Sequence, residues 1–278
     1  MKTVTAIMGV REWRHAQAGD VGLVPTMGAL HEGHLSLIKR AREQNARVAV
    51  SIFVNPRQFG PKEDFARYPR DIDRDRNLLT QAGCDLLFLP LAEEMYPAGC
   101  ETFVDVGSVA APLEGERRPG HFRGVATVVL KLLGIFEPTG VYFGQKDAQQ
   151  LAVIRRMAAD LDLAAEIVAC PTVRESDGLA MSSRNAYLSS DERAVAPALY
   201  RALIAARDRF ATGERQGDEL RRTMRQVLAA EPLLHVDYVS VADPRSMQEL
   251  RTVTDRALLS LAVRIGNTRL IDNIVVGV

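Results

Sequence analysis

Cysteine is scarce in this sequence: Cys84, Cys100 and Cys170 are odd in number, far apart and without a CxxC pair. That pattern is expected of a reducing compartment, and with nothing nearby to activate a nucleophile the thiols read as buried filler. No apolar run approaches the ~20 residues that a membrane-spanning helix needs. The start, MKTVTAIMGV, lacks a hydrophobic segment followed by a small-residue cleavage site, so no signal peptide is expected and the protein is placed in the cytoplasm. A dominant charge is also missing. Lys plus Arg and Asp plus Glu both number 35, which excludes a broad nucleic-acid footprint but leaves room for a local basic pocket. Internal repeats, low-complexity segments and a Walker loop are absent as well.

What is there begins with length: 278 residues suffice for one larger and one smaller domain. Short apolar runs at 21–25, 48–54, 85–90, 140–143 and 166–170 read as strands buried on both faces. Helical patterns at 35–45, 72–82, 125–136 and 148–161 separate them. This alternation predicts an α/β domain over residues 1–172, a doubly wound parallel sheet whose ligands sit beyond the carboxyl ends of its strands. The boundary is expected near Cys170-Pro171-Thr172. Residues 173–278 then read as a smaller α+β C-terminal domain. It has a Ser/Arg-rich loop, a long helix opened by Ser189 and Glu192 and ending near 212–213, a helix at 218–230, and three strand-like runs.

The most telling stretch is VGLVPTMGALHEGHLSLIKRA, residues 21–41. It reads as a strand, a turn with Gly28 and Gly33, and a helix opening at His34. Helix N-termini leave backbone N–H groups without intrahelical acceptors and carry the positive end of the dipole, so the turn suits a phosphate. The rings of His31 and His34 would add donors. A zinc pair is disfavoured, because HEGH lacks the i, i+4 histidine spacing of HExxH. A glycine-bearing turn of no special function is the plain alternative.

Polar clusters recur at the other strand ends. Pro56 stops the second strand and leaves Asn55, Arg57 and Gln58, the last suited to a hydroxyl or carboxylate of a small substrate. Gly144, Gln145, Lys146 and Asp147 follow the fourth strand, with Gln150 one turn into the next helix. Arg118 and His121 lie in ERRPGHFRGV, read as a lid or a solvated loop, and AMSSRN offers Ser182, Ser183 and Arg184 to phosphate oxygens.

Taken in order, PTMGALHEGHLSLI, SIFVNPRQFG, RPGHFRGV, VYFGQKDAQQ and AMSSRNAYLS closely resemble the pantoate–β-alanine ligase (pantothenate synthetase) family, over nearly the whole chain from Val21 onward. HEGH looks like the HIGH signature of the adenylyl-transferring α/β superfamily, and MSSRN looks like that family's form of the KMSKS loop. The resemblance implies a Rossmann-like first domain that binds ATP and pantoate, followed by a lid domain. It also implies a cytoplasmic homodimer that joins (R)-pantoate to β-alanine with ATP and Mg²⁺, through a pantoyl adenylate. ATP-site roles then fall on Met27, Gly28, Ala29, Leu30, His31, Glu32, Gly33 and His34. They fall also on Gly144, Gln145, Lys146, Asp147, Val173, Met181, Ser182, Ser183 and Arg184. His34, His31, Lys146 and Arg184 carry the catalysis, with His34 as proton donor. Gln58, Gln150, Met27 and His121 hold pantoate and β-alanine, and Asp75 is set against Mg²⁺. Two other readings stay open: a nucleotidyltransferase that leaves AMP on a phosphorylated acceptor, and a nucleotide sensor without turnover.

Overall fold

The apolar runs become strands of one parallel sheet, because a strand covered by helices on both faces has no need of a polar side. In the computed structural model, which describes residues 1–61 and 63–277, the first elements are β1 (Lys2–Val4), α1 (Ile7–His15), β2 (Val21–Thr26), α2 (Glu32–Gln44) and β3 (Arg47–Ile52). Then come α3 (Ile72–Gln81), β4 (Leu86–Phe88), α4 (Ala92–Met95), α5 (Glu114–Arg117) and α6 (His121–Phe136). The series closes with β5 (Gly140–Gly144), α7 (Ala148–Asp160) and β6 (Glu166–Cys170). The strand order is β1-β4-β3-β2-β5-β6, every pair parallel.

β2 pairs with β3 from Val21↔Arg47 to Thr26↔Ile52, but with β5 only at Gly22↔Gly140 and Leu23↔Val141. Strand order therefore reverses at β2, and its two neighbours diverge before Pro25, where a missing N–H is tolerated. Val24, Val50 and Leu87 of the sheet pack under Leu37 and Ile38 of α2.

The chain divides into two units: residues 1–144 with 153–170, and residues 145–152 with 171 onward. The second contains α8 (Ser190–Val195), α9 (Ala198–Ala211) and α10 (Gly217–Ala229). Its antiparallel sheet has the order β7 (Leu234–Ala242), β8 (Ala257–Ile265), β9 (Thr268–Val276). Leu259, Leu261 and Val263 alternate along β8 and share a core with Leu199, Leu203, Leu220 and Met224.

Two local expectations need correction. The helix predicted from Ser189 to about 212 is two helices, because Pro197 stands at the N-cap of α9 and cannot continue α8. Its opening is as read: Ser189 Oγ accepts from Glu192 N at 3.3 Å, and Ser189 N donates to Glu192 Oε2 at 2.8 Å. Residues 145–152, placed by the sequence before the boundary, pack with the second unit. Among the described residues no helix is long and apolar enough to cross a membrane.

Candidate active site

The turn from β2 to α2 is built by its own imidazoles. His31 is the N-cap of α2, so the helix opens at Glu32, two residues before the predicted His34. His31 Nδ1 accepts from Gly33 N at 3.1 Å, and His34 Nδ1 accepts from His31 N at 3.3 Å. An Nδ1 that accepts carries no proton, so both neutral rings hold theirs on Nε2. The ring centroids lie 4.1 Å apart. The phosphate site imagined from bare helix N–H groups is thus altered. His31 takes the Gly33 N–H and His34 takes the N–H of His31 itself, so imidazoles carrying Nε2–H stand at the positive end of the dipole.

The preceding residues are held from α3. Asp75, fully buried, accepts from Ala29 N at 2.9 Å and from Leu30 N at 2.8 Å, one bond to each carboxylate oxygen. Arg74 Nη1 donates to Leu30 O at 2.8 Å. Gly28 has φ +84°, and a Cβ there would stand 3.0 Å from Ile52 Cγ2 and 3.1 Å from Asp75 Oδ2, so only glycine suits the turn. Burial pushes the Asp75 carboxyl above its ordinary range, against the pull of the two N–H groups. Asp75 is therefore the anchor of the turn, which corrects its assignment to Mg²⁺. A fully buried carboxylate whose two oxygens both serve backbone donors does not suit a solvated ion. Among the described residues no group of three His, Cys, Asp or Glu could hold a metal.

Gln58 is equally constrained. Asn55 Nδ2 donates to Gln58 Oε1 at 3.0 Å, and Gln58 Nε2 donates to Met27 Sδ at 3.2 Å. Asn55 is itself oriented by Tyr96 Oη, which donates to its Oδ1 at 3.0 Å, and by its own bond to Gly124 O at 3.2 Å. The Gln58 amide thus faces one way and keeps one further donor and one further acceptor position. Arg57 turns aside: its guanidinium stacks 4.0 Å from the Tyr96 ring. His121 is neither lid nor loop but the first residue of α6, buried, with both ring nitrogens engaged by Gln58 O and Arg118. It cannot contact a substrate directly, which corrects that assignment.

The second unit holds the remaining candidates. Gln145, Lys146 and Asp147 form a short 3-10 turn. Asn273 of β9, buried, donates through Nδ2 to Gln145 O at 3.0 Å and to Lys146 O at 2.8 Å. Its backbone N–H donates to Asp272 Oδ1 at 2.7 Å, and Asp272 takes both arms of Arg174 at 2.6 and 2.9 Å. Met181 N donates to Val173 O at 3.0 Å, bringing two predicted nucleotide residues together. Ser182 caps the turn 183–187 by accepting from Arg184 N at 3.3 Å, and Asn185 Nδ2 ties that loop to Glu175 Oε1 at 2.9 Å. The Ser/Arg-rich segment is therefore a folded loop. Gly144 and Gln58 belong to the first unit, Gln150 to the second.

Sequence reasoning missed Asn273, Asp272 and Arg174, and it misread Asp75. A signal existed for two of these sites. Asp75 lies on the apolar stripe Ile72, Asp75, Leu79, and Asp272-Asn273 interrupts the apolar run from Leu270 to Val276.

A parallel sheet that reverses at β2, with paired imidazoles capping the helix that follows, defines a Rossmann-like α/β protein with an HxxH turn at its switch point. A family profile described as pantoate-beta-alanine ligase matches residues 1–275. The chain belongs to that family. It is 63% identical to the pantothenate synthetase of Roseiflexus sp. (strain RS-1) over 275 residues, 99% of each chain. A crystal structure of pantothenate synthetase from Thermus thermophilus is 50% identical, with TM-score 0.94 and 99% of each chain covered. The pantoate-beta-alanine ligase from Francisella tularensis, complexed with beta-gamma ATP and beta-alanine, is 35% identical, with TM-score 0.81, covering 99% of this chain and 97% of that one.

Proposed function

We propose that this protein condenses (R)-pantoate with β-alanine, using ATP, to give pantothenate, AMP and pyrophosphate. A pantoate carboxylate oxygen attacks the α-phosphorus and pyrophosphate leaves. The β-alanine amine then attacks the acyl carbon of the adenylate, AMP departs and the amine loses its proton. The substrates supply both nucleophiles, so the protein has to align them and stabilise growing phosphate charge. His31 and His34 give Nε2–H to the phosphates, with His34 as proton donor, while Lys146 and Arg184 give charge. Gly28 to Gly33, Gly144 to Asp147, Val173, and Met181 to Ser183 surround the nucleotide. Gln58 and Gln150 hold pantoate, with Met27 against its apolar part. Mg²⁺ would enter with the nucleotide and neutralise part of its phosphate charge, with its ligands drawn mainly from phosphate oxygens and water rather than from this chain.

The observation that carries this reading is the pair of mutually capped imidazoles, which offers uncharged donors at the positive end of α2. The nucleotidyltransferase alternative is not favoured, since the amide of Gln58 brings no cation for a phosphorylated acceptor. The resemblance further implies a homodimer, which light scattering checks against the 30.6 kDa chain mass.

The test is AMP and pantothenate formation from ATP, pantoate and β-alanine; a requirement for another acid would overturn the substrate assignment. His34→Ala and Lys146→Ala should each slow adenylate formation by roughly 10²–10³-fold, as for other removed charge-stabilising donors, with circular dichroism unchanged.

A further inference from the structure

His121 lies far along the chain from Gln58, yet its Nδ1 is 2.9 Å from the Gln58 carbonyl oxygen. On the ring's other side Arg118 Nη1 approaches Nε2 at 3.0 Å. A guanidinium only donates, so Nε2 must accept, the ring proton sits on Nδ1, and Nδ1–H donates to the carbonyl. Arg118 is fixed in turn by Glu63, whose two carboxylate oxygens accept from Nε at 2.8 Å and Nη2 at 2.7 Å. Glu114 Oε2 lies 4.0 Å from Arg118 Nη1. The same helix face meets the 56–58 turn at backbone distance: a Cβ on Gly124 would stand 2.2 Å from Arg57 O and 2.8 Å from Gln58 Cα. Gln58 is thus gripped through its amide by Asn55 and through its main chain by His121.

We propose that His121 is a positioning residue for Gln58: Arg118 locks its tautomer, and the locked ring sets where the pantoate-binding amide stands. This rests on the reading of Gln58 given above. Burial and the Arg118 charge push the His121 pKa down to about 4, so the ring stays neutral and the lock persists near neutral pH.

Steady-state kinetics of His121→Asn and His121→Gln test the proposal. An asparagine amide nitrogen reaches the place of Nδ1 and can donate to Gln58 O, whereas that of glutamine reaches the place of Nε2. His121→Gln should raise the pantoate KM roughly tenfold, the scale of one lost hydrogen bond, with the ATP KM unchanged. His121→Asn should stay within about twofold of the parent. Equal behaviour of the two variants, whether both impaired or both normal, would overturn the proposal. Ring ¹⁵N shifts of His121 in the unmodified protein test it independently: a proton on Nδ1 supports the lock, and one on Nε2 refutes it. An unmodified enzyme indifferent to pantoate would sink the reading of Gln58, and the ¹⁵N shifts would still judge the tautomer.

Discussion

The neutral His121 ring ties stability to acidity. Its folded pKa of about 4 lies below the ordinary 6.5, chiefly through burial and next through the Arg118 charge. Between those values the unfolded chain binds a proton that the folded protein refuses, so this contribution is complete above pH 6.5 and is lost as pH falls toward 4. Its ceiling is about 3 kcal/mol, at ~1.4 kcal/mol per pH unit. Glu63 adds to the same slope at its lower end. Burial works to raise its carboxyl, but the bond to Arg118 and the Arg118 charge hold it below 4.5. Chemical denaturation across pH 4–7 should therefore show stability rising with pH, with a shallower rise in His121→Asn. An unchanged slope in the variant would place the proton uptake elsewhere. At this scale the sequence was legible for His31 and His34, which stand in a conspicuous turn. It was not for His121 or Asp75, whose roles depend on partners 63 and 45 residues away.

Helix α2 starts earlier than its sequence suggests because histidine is not among the usual capping residues, and here two histidines cap each other's backbone. β1 leaves no mark in the sequence, because three residues carry no readable period. The turn 145–147 shows an element held by another far along the chain, since Asn273 satisfies two successive carbonyls with one amide. Asn273→Asp keeps the shape but turns a carboxylate oxygen toward Gln145 O and Lys146 O. That variant should lose tenfold or more in adenylate formation, about 1.4 kcal/mol or more. Far-UV circular dichroism should stay unchanged. Normal single-turnover rates would remove the turn's backbone from any part in placing Lys146.

The alternation of apolar strands with helices made the parallel sheet legible, because a doubly covered sheet demands that pattern. The assignment of residues 145–152 was not legible, since the contact that decides it spans 127 residues. Each unit has its own apolar core. Trp13, the single tryptophan of the sequence, is buried in the first unit. Guanidinium unfolding followed by Trp13 fluorescence should have a midpoint distinct from that by circular dichroism, which senses both units. Coincident curves would mean one cooperative transition.

The placement of β1 has a consequence for biosynthesis. Among the described residues Lys2–Val4 pairs only with Leu86–Phe88, and α1 packs on α6, with Arg14 reaching Glu137 O at 3.1 Å. β1 can therefore pair once Phe88 has cleared the ribosome, whereas α1 gains its packing on α6 only after Glu137 has done so. A nascent chain stalled between those two points leaves α1 without its packing on α6, open to chaperones and proteases.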